Sequence, residues 1–342
     1  MIPLALSPMA GFTNAPTRLV ASRFGASRTY TEMANAAGLA RRSEASWAIL
    51  ETLPDEPKPF AHLYGREPDD FARAAELIAA TGRFAGIDIN AGCPAPKVMG
   101  EGCGASLMRE PELVGRIVRT AREASGLPVG VKTRLGFRPS EPTVFEVAAA
   151  AAAGGASFFA VHGRYRVQGH SGPVALETIA EVKRRLDIPV FGNGGVRDFA
   201  TADEMASATG VDAILVGQGA IGHPWVFREI DEKKSFDIGA NRSRGLPVEE
   251  IRSTLLWHLD LEKRFIDDLA AKYPALFTSD TPEMICVIRF RLHLVRYLAG
   301  LRGSVRLRRS LPSVCTLDAV RAAIDGCCSE AKAAGEGLRL DN

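Results

Sequence analysis

Eight short segments of apolar and β-branched residues recur through the first two thirds of the chain, and helical patterns separate them. The predicted strands are residues 4–7, 28–31, 60–64, 86–90, 129–133, 158–162, 189–192 and 213–217. Segments such as FFAV and AILV are apolar throughout, which is typical of parallel strands covered on both faces. Eight successive β-then-α units within about 225 residues have the number and size of a (β/α)8 barrel.

A doubly wound open sheet is the competing arrangement of alternating strands and helices. Such a sheet usually carries a glycine-rich G-x-G-x-x-G turn after its first strand. The turn after the first predicted strand reads SPMAGFT instead. We therefore predict an α/β fold in which residues 1–230 form a (β/α)8 TIM barrel.

The pattern changes after residue 230. Residues 231–247 are polar and rich in turn formers, which indicates a linker or loop. From residue 248 onward the periodicity is helical, and we predict a small all-α C-terminal domain over residues 248–342. Its predicted helices are residues 248–273, 281–299, 304–311 and 316–334.

Composition limits the class of protein. The 342 residues are 46% hydrophobic and 24% charged, which is typical of a globular chain and excludes wholesale disorder. The apolar runs are too short for a membrane span, and the N-terminus lacks the basic region of a secretion signal. The six cysteines are too scattered for a disulfide framework or a zinc site. We expect a cytoplasmic monomer that holds no metal ion.

Positive charge is concentrated towards the C-terminus. Residues 284–317 contain seven arginines and no aspartate, glutamate or lysine, so the rest of the chain has a net charge of −5. A strongly basic segment on a mildly acidic protein indicates a polyanionic partner such as a nucleic acid. Alternatively, these arginines form a solvated helix face or pair with the acidic barrel, and the apolar residues between them pack in a core.

Glycines follow the last two predicted strands, at the end of the barrel where active sites lie. The seventh strand is followed by Asn193, Gly194 and Gly195, and the eighth ends at Gly217, with Gln218 after it. Glycines in these two loops allow backbone N–H groups to approach a phosphate closely. The alternative is that they only permit tight turns.

Two titratable residues end the middle strands. Lys132 lies at the end of the fifth predicted strand and His162 at the end of the sixth, so both are expected to face the barrel mouth. A buried ammonium at that place can stabilise negative charge that develops on a bound ring. Taken separately, Lys132 could instead pair with Asp88, and His162 could be a hydrogen-bonded core residue.

Cys93 lies in a loop that contains several glycines after the fourth predicted strand. A thiol on a mobile loop above a barrel mouth can act as a proton donor or a nucleophile. The alternative is a structural role, which is common for a single cysteine. The position of the loop alone does not decide between these roles.

Several segments resemble one known family, the tRNA-dihydrouridine synthases. These segments are SPMAGFTNAPTR (7–18), DINAGCPAPKV (88–98), GCGASLM (102–108), VGVKTRLGF (129–137), AVHGRYRVQGHSG (160–172), PVFGNGGV (189–196) and GQGAIGHPWVF (217–227). They occur in the family's order, and IRFRLHLVRYL (288–298) is similar to part of its helical domain. Their joint presence at successive strand ends makes the resemblance specific.

The resemblance implies an FMN enzyme, reduced by NADPH, that converts selected uridines of tRNA to 5,6-dihydrouridine. Hydride passes from the flavin to C6, and Cys93 protonates C5. The implied cofactor contacts are Pro8, Met9, Ala10, His62, Lys132, His162, Arg164, Asn193, Gly194, Gly195, Gly217 and Gln218. The implied substrate contacts are Asn90, Arg164, Arg289, Arg291 and Arg296.

The sequence departs from the family's pattern at several of these positions. His62 replaces a usual glutamine, Gly195 an aspartate and Gln218 an arginine, while Tyr165 and Leu292 replace a threonine and a basic residue. Losing the arginine removes a bidentate phosphate anchor, for which Arg197 is a possible substitute. The alternative functions are therefore a barrel oxidoreductase acting on a small molecule, a paralogue with weakened FMN binding, or an RNA-binding relative without activity.

Overall fold

The computed structural model describes residues 2–233 and 246–335. The chain divides into two compact units, residues 1–219 and residues 220–342. Most of the predicted linker, residues 231–247, lies outside the described residues. The first unit contains the predicted strands, and the second contains the predicted C-terminal helices.

Eight parallel strands form the curled sheet of the first unit, in the order β1-β10-β9-β8-β5-β4-β3-β2. They are β1 (Leu4–Leu6), β2 (Ala34–Asn35), β3 (Phe60–Tyr64), β4 (Gly86–Ala91), β5 (Val129–Arg134), β8 (Phe158–His162), β9 (Val190–Asn193) and β10 (Ala213–Val216). An antiparallel ribbon that the sequence did not predict, β6 (Gly136–Arg138) with β7 (Glu141–Pro142), follows β5. The predicted (β/α)8 barrel is confirmed.

The predicted second strand, residues 28–31, differs from the other seven. Arg28 bridges to Ala5 on one side and Tyr30 bridges to Phe60 on the other. Because its hydrogen bonds are divided between β1 and β3, the segment forms no continuous ladder with either strand. It nevertheless lies between them, and the regular pairing with β3 begins only at Ala34.

Helices follow the strands as the alternating pattern predicts. Those of the first unit are α1 (Ala15–Arg23), α2 (Ala36–Ala40), α3 (Glu44–Ile49), α4 (Pro68–Ala80), α5 (Pro96–Gly100), α6 (Pro111–Ser125), α7 (Val144–Ala153), α8 (Leu176–Arg185) and α9 (Phe199–Thr209). Prolines begin α4 and α6, where their missing N–H needs no intrahelical partner. Gly126 ends α6 with a φ of 66°, a conformation that other residues rarely adopt.

Aromatic rings fill the interior of the barrel. The rings of Phe60, Phe158 and Phe191 enclose the Arg28 guanidinium, whose carbon lies 4.4, 4.9 and 4.9 Å from the three ring centres. A Cβ at Gly130 would lie 2.2 Å from the Phe158 ring, so only glycine leaves room for it. The interior is therefore packed with side chains and is not an open channel.

The second unit is helical. Its helices are α10 (Val226–Asp231), α11 (Val248–Lys272), α12 (Pro282–Tyr297), α13 (Ser304–Ser310) and α14 (Leu317–Ala333). The last four agree with the predicted helices to within two residues at each end. Helix α10 belongs to this unit, although the division at residue 230 assigns it to the barrel. No helix in the described part of the chain is long and apolar enough to cross a membrane.

Candidate active site

Strand register brings the predicted site residues together at the carboxyl end of the barrel. Asn90 on β4 is the register partner of Lys132 on β5. Arg134, two residues after Lys132, pairs with His162 on β8, which in turn pairs with Asn193 on β9. Because neighbouring parallel strands end on the same side, these side chains surround one mouth.

Asn90 fixes the start of the Cys93 loop. Its side-chain oxygen accepts hydrogen bonds from the backbone N–H groups of Gly92, at 3.1 Å, and Cys93, at 2.9 Å. The Asn90 amide nitrogen lies 3.4 Å from the sulfur of Met33. The side chain of Cys93 is half-buried, so the thiol stands at the mouth and not in the core.

The other side of the same loop is also fixed to Cys93. The backbone N–H of Ala105 donates to the Cys93 carbonyl oxygen at 2.9 Å. A Cβ at Gly104 would lie 2.8 Å from that oxygen, so the loop can close in this way only around a glycine. The second thiol of the loop, Cys103, is buried, and its sulfur lies 3.4 Å from the Glu101 carbonyl oxygen.

Lys132 is a cation without a carboxylate partner. Within the described ranges it forms no ion pair, and the predicted alternative of a pair with Asp88 is not found. Burial and the nearby Arg134 guanidinium lower the pKa of Lys132 to about 8, while Asp88 and Cys93 act in the opposite direction. A half-buried ammonium at a barrel mouth is suited to hold an anionic group.

His162 is neutral and buried. Burial, followed by the positive charges of Lys132, Arg134 and Arg164, lowers its pKa far below the usual value. The His162 Nε2 lies 3.2 Å from an Arg164 Nη1, which can only donate. Nε2 is therefore the acceptor, and the ring proton is on Nδ1.

Arg164 also supports its own loop. Its Nε and Nη2 donate to the Gly172 carbonyl oxygen at 3.0 and 2.8 Å. Together with the contact to His162, these bonds occupy several of the guanidinium N–H groups. The predicted contact of Arg164 with FMN or uridine therefore depends on its remaining N–H groups.

Arg134 is a residue of the mouth to which the sequence alone assigned no role, although it stands at the end of the fifth predicted strand. It is 3% exposed and joins two loops, since its Nε donates to the Gly92 carbonyl oxygen at 3.1 Å and its Nη1 to that of Gly169 at 2.7 Å. Burial and Arg164 lower its pKa to about 10. Its position two residues after Lys132, on the same face of β5, was the signal that could have identified it.

The glycine-rich loops after β9 and β10 lie against each other. A Cβ at Gly219 would be 2.5 Å from the Val196 carbonyl oxygen. Gly194 and Gly195 have φ angles of 117° and 77°, and among the described residues neither N–H donates to another backbone group. There is space beside Gly217, because a Cβ built there would lie 3.7 Å from the Met9 sulfur. Among the described residues, the loop after β9 thus presents the N–H groups of Gly194 and Gly195 at the predicted phosphate position.

Two side chains predicted to contact the cofactor, Asn193 and His62, form hydrogen bonds within the barrel itself. The Asn193 side-chain amide donates to the Leu215 carbonyl oxygen at 2.8 Å and joins β9 to β10. His62 lies in the middle of β3 and not at its end, and its Nδ1 is 2.6 Å from an Asp88 carboxylate oxygen. Both side chains are buried. The other predicted contacts, Pro8, Met9, Ala10 and Gln218, are half-buried or exposed at the mouth.

The three arginines predicted to contact tRNA have different surroundings in the second unit. The Arg291 guanidinium donates to the Val314 carbonyl oxygen, at 3.0 Å from Nε and 2.7 Å from Nη2. Arg289 faces the buried Glu262, with 3.5 Å between nitrogen and oxygen. Arg296 is exposed and forms no ion pair with another described residue.

The residues at the mouth fit FMN better than they fit a metal ion. The Lys132 ammonium, the neutral His162 ring and the N–H groups of Gly194 and Gly195 are suited to a ring with anionic character and a phosphate. Over residues 2–233 and 246–335, no cluster of three histidine, cysteine or acidic side chains could hold a metal ion. The fold and the mouth therefore define a barrel enzyme with a site for a phosphate-bearing cofactor.

Comparison with known proteins identifies the family. Residues 5–321 match the family model described as "Dihydrouridine synthase (Dus)", and the chain belongs to this family. It is 32% identical over 337 residues to "tRNA-dihydrouridine synthase B" of Pseudomonas aeruginosa, covering 98% of this chain and 95% of that protein. It is also 32% identical over 262 residues to a "Probable tRNA-dihydrouridine synthase" of Aquifex aeolicus, covering 75% and 81%.

A solved structure of a mutant of morphinone reductase in complex with tetrahydroNAD is also similar, with a TM-score of 0.49 and 11% identity over 68% of this chain and 87% of that one. The sequence-based recognition of the family and the prediction of an enzyme are confirmed by the family match and the relatives.

Proposed function

We propose that this protein reduces specific uridines of tRNA to 5,6-dihydrouridine, with FMN as cofactor and NADPH as reductant. The observation that carries the proposal is the position of Cys93. Its backbone is fixed by Asn90, and Asn90 pairs in register with Lys132. A proton donor and a cation suited to the cofactor therefore share one mouth, in a chain of the dihydrouridine synthase family.

The residues of the mouth would hold FMN by charge and close backbone approach. Lys132 and His162 would contact the ring, Met9 and Ala10 would pack on it, and the N–H groups of the glycine-rich loops would bind the phosphate. Bound FMN, once reduced, supplies the hydride that uracil C6 receives. Because Gly195 and Gln218 replace the family's usual aspartate and arginine, the backbone N–H groups of these loops would bind the phosphate.

Cys93 would supply the proton for C5. Addition of hydride to C6 would leave negative charge delocalised over C5 and the C4 carbonyl, and protonation of C5 by a thiol would complete the reduction. The thiol becomes a thiolate when its proton moves to C5. Lys132 and Arg134 interact electrostatically with Cys93, so positive charge lies near the sulfur that gives up the proton.

Asn90 would recognise the base as a hydrogen-bond donor. Its side-chain oxygen is already occupied by the N–H groups of Gly92 and Cys93. Among the described residues, its amide nitrogen has only a weak sulfur acceptor, Met33. An amide with a free donor selects a carbonyl oxygen, and uracil presents one at C4 where cytosine carries an amino group.

The uridine must leave its stack to enter the mouth, which costs a few kcal/mol. Contacts between arginines of the second unit and tRNA phosphates would offset this cost, and binding would weaken with added salt. Arg296, Arg308 and Arg309 are exposed and form no ion pair among the described residues. A tRNA substrate also agrees with the predicted cytoplasmic location.

The direct test combines purified protein, FMN, NADPH and unmodified tRNA, with dihydrouridine mapped by mass spectrometry. We expect NADPH to bleach the flavin and reduction to occur at defined uridines of tRNA. Reduction of free uridine at the same rate would favour the small-molecule alternative. Binding of tRNA without flavin binding, even with added FMN, would favour the alternative without activity.

A further inference from the structure

A buried carboxylate lies on the barrel's inner side next to Lys132. Asp88 precedes Asn90 by two residues on β4, so both side chains are on one face of the strand. Asn90 is the register partner of Lys132, and Asp88 is the register partner of Gly130. The Asp88 carboxylate is therefore the diagonal neighbour of Lys132, one interior position deeper in the barrel.

The two oxygens of this carboxylate have different partners. One lies 2.6 Å from the His62 Nδ1, and both side chains are buried. The other, Oδ1, is buried and has no hydrogen-bond partner within the described part of the chain. A buried acceptor without a partner is costly, so an ionised Asp88 requires a compensating positive charge nearby.

The charged groups around Lys132 come from three directions. Arg134 lies on its own strand, His162 and His170 come from β8 and the loop after it, and Cys93 follows β4. Among the described groups that act on the pKa of Lys132, Asp88 is the one carboxylate. The other charged neighbour, Arg134, opposes the ammonium form, and burial does the same.

We propose that Asp88, oriented by His62, is a positioning residue that keeps the Lys132 ammonium charged at the barrel mouth. The inference rests on the proposed function only for the task of Lys132, which is to hold the anionic cofactor. His62 is thereby a support for Asp88 and not a direct cofactor contact. Replacing the usual glutamine by histidine at this position provides a ring N–H that reaches the carboxylate.

The proposal predicts a change in the titration of Lys132 that a merely structural role would not produce. Without the negative charge of Asp88, Cys93 alone opposes the effects of burial and Arg134, and the lysine releases its proton at lower pH. Asp88→Asn keeps the shape of the side chain and an oxygen for His62. It should lower the titration midpoint of Lys132 by about one pH unit or more.

The experiment uses the full chain without FMN or tRNA. Lysines labelled with 13C at Cε are followed by NMR from pH 6 to 11, and Lys132→Arg identifies the signal. Glu141→Gln removes the half-buried carboxylate that pairs with Arg109 and is the matched control, which should leave the midpoint unchanged. An unchanged midpoint in a folded Asp88→Asn protein overturns the proposal.

Two further measurements remain decisive if Asp88→Asn does not fold. In the unsubstituted protein, the 13Cγ signal of Asp88 should shift with the titration of Lys132, and a flat signal contradicts the proposal.

His62→Gln, which retains a donor, should preserve the Lys132 midpoint, whereas His62→Leu should lower it. Equal midpoints in both variants contradict the role of His62. A lowered midpoint without any reduction of tRNA would leave this inference standing and reject the proposed function.

Discussion

The side-chain oxygen of Asn90 lies 2.9 Å from the backbone nitrogen of Cys93. A residue at the end of a barrel strand thus fixes the first turn of the loop that carries the thiol. The strand is rigid because β3 and β5 pair with it on both sides. The position of the thiol is therefore set by the sheet, and its movement is left to the loop beyond it.

Removal of the Asn90 side chain should release this turn. Asn90→Ala leaves the N–H groups of Gly92 and Cys93 without an acceptor, at a cost of about 1–3 kcal/mol if they remain buried. We expect faster hydrogen exchange at both amides and a large fall in dihydrouridine formation. Asn35→Ala, which removes a similar bond to Gly38 at the start of α2, is the control. Unchanged exchange at Cys93 would contradict the assignment.

Replacing the proposed proton donor should separate the two halves of the reaction. Cys93→Ala should leave NADPH-driven flavin reduction near normal, while tRNA reduction falls roughly 100- to 10,000-fold because C5 lacks its acid. Stopped-flow absorbance follows the first step, and mass spectrometry follows the product. Cys103→Ala, which changes the buried thiol of the same loop, should retain both activities. Normal product formation by Cys93→Ala would refute the role.

Arg134 should be needed in its guanidinium form. The N–H donors of lysine share one nitrogen, so it lacks the separated Nε and Nη1 with which Arg134 reaches the carbonyl oxygens of Gly92 and Gly169. We expect Arg134→Lys to lower the free energy of unfolding by about 1–3 kcal/mol and to increase the rate of Cys93 alkylation. Arg138→Lys, at an exposed position of β6, should change neither quantity. Alkylation at the original rate would show that Arg134 does not hold the loop.

The exposed arginines of the second unit should control tRNA binding. Changing Arg296 or Arg309 to glutamine should weaken binding and reduce the slope of log K against log salt by about one per phosphate contact. Arg306→Gln is the control, because Arg306 already pairs with Glu330. Arg291→Gln should mainly lower stability, since its guanidinium is bonded to the Val314 carbonyl oxygen. Equal salt slopes in all four variants would reject this division.

Two buried histidines should make the second unit sensitive to acid. Burial lowers the pKa of His293 to about 4 and that of His258 well below 6.5. Because the folded-state pKa values are lowered, both histidines bind protons more readily in the unfolded chain. They therefore leave the free energy of unfolding at its full value above pH 6.5 and reduce it as the pH falls towards 4. The loss is about 1.4 kcal/mol per pH unit and histidine. Urea denaturation at several pH values measures it, and His293→Gln should reduce the slope; an unchanged slope would contradict this source.

The sequence by itself determined the elements and their order. Alternating apolar segments and helical periodicity depend on neighbours within a few residues, so seven barrel strands and the four last helices were predicted close to their observed bounds. The second predicted strand was less regular than expected, because its bonds go to both Ala5 and Phe60. The same local order placed Asn90, Lys132 and His162 at strand ends, and the family motifs could be recognised from it.

Only the tertiary structure decided which partners these side chains have. Asp88 pairs with His62 and not with Lys132, Arg134 joins carbonyl groups from two loops, and Arg291 is used within the helical unit. Such choices depend on strand register and on competition between donors that are distant in the sequence. A long polar side chain bonds to the buried acceptor that the fold brings within reach. The reason is that an unpaired polar group in the interior costs more free energy than local conformational preferences contribute.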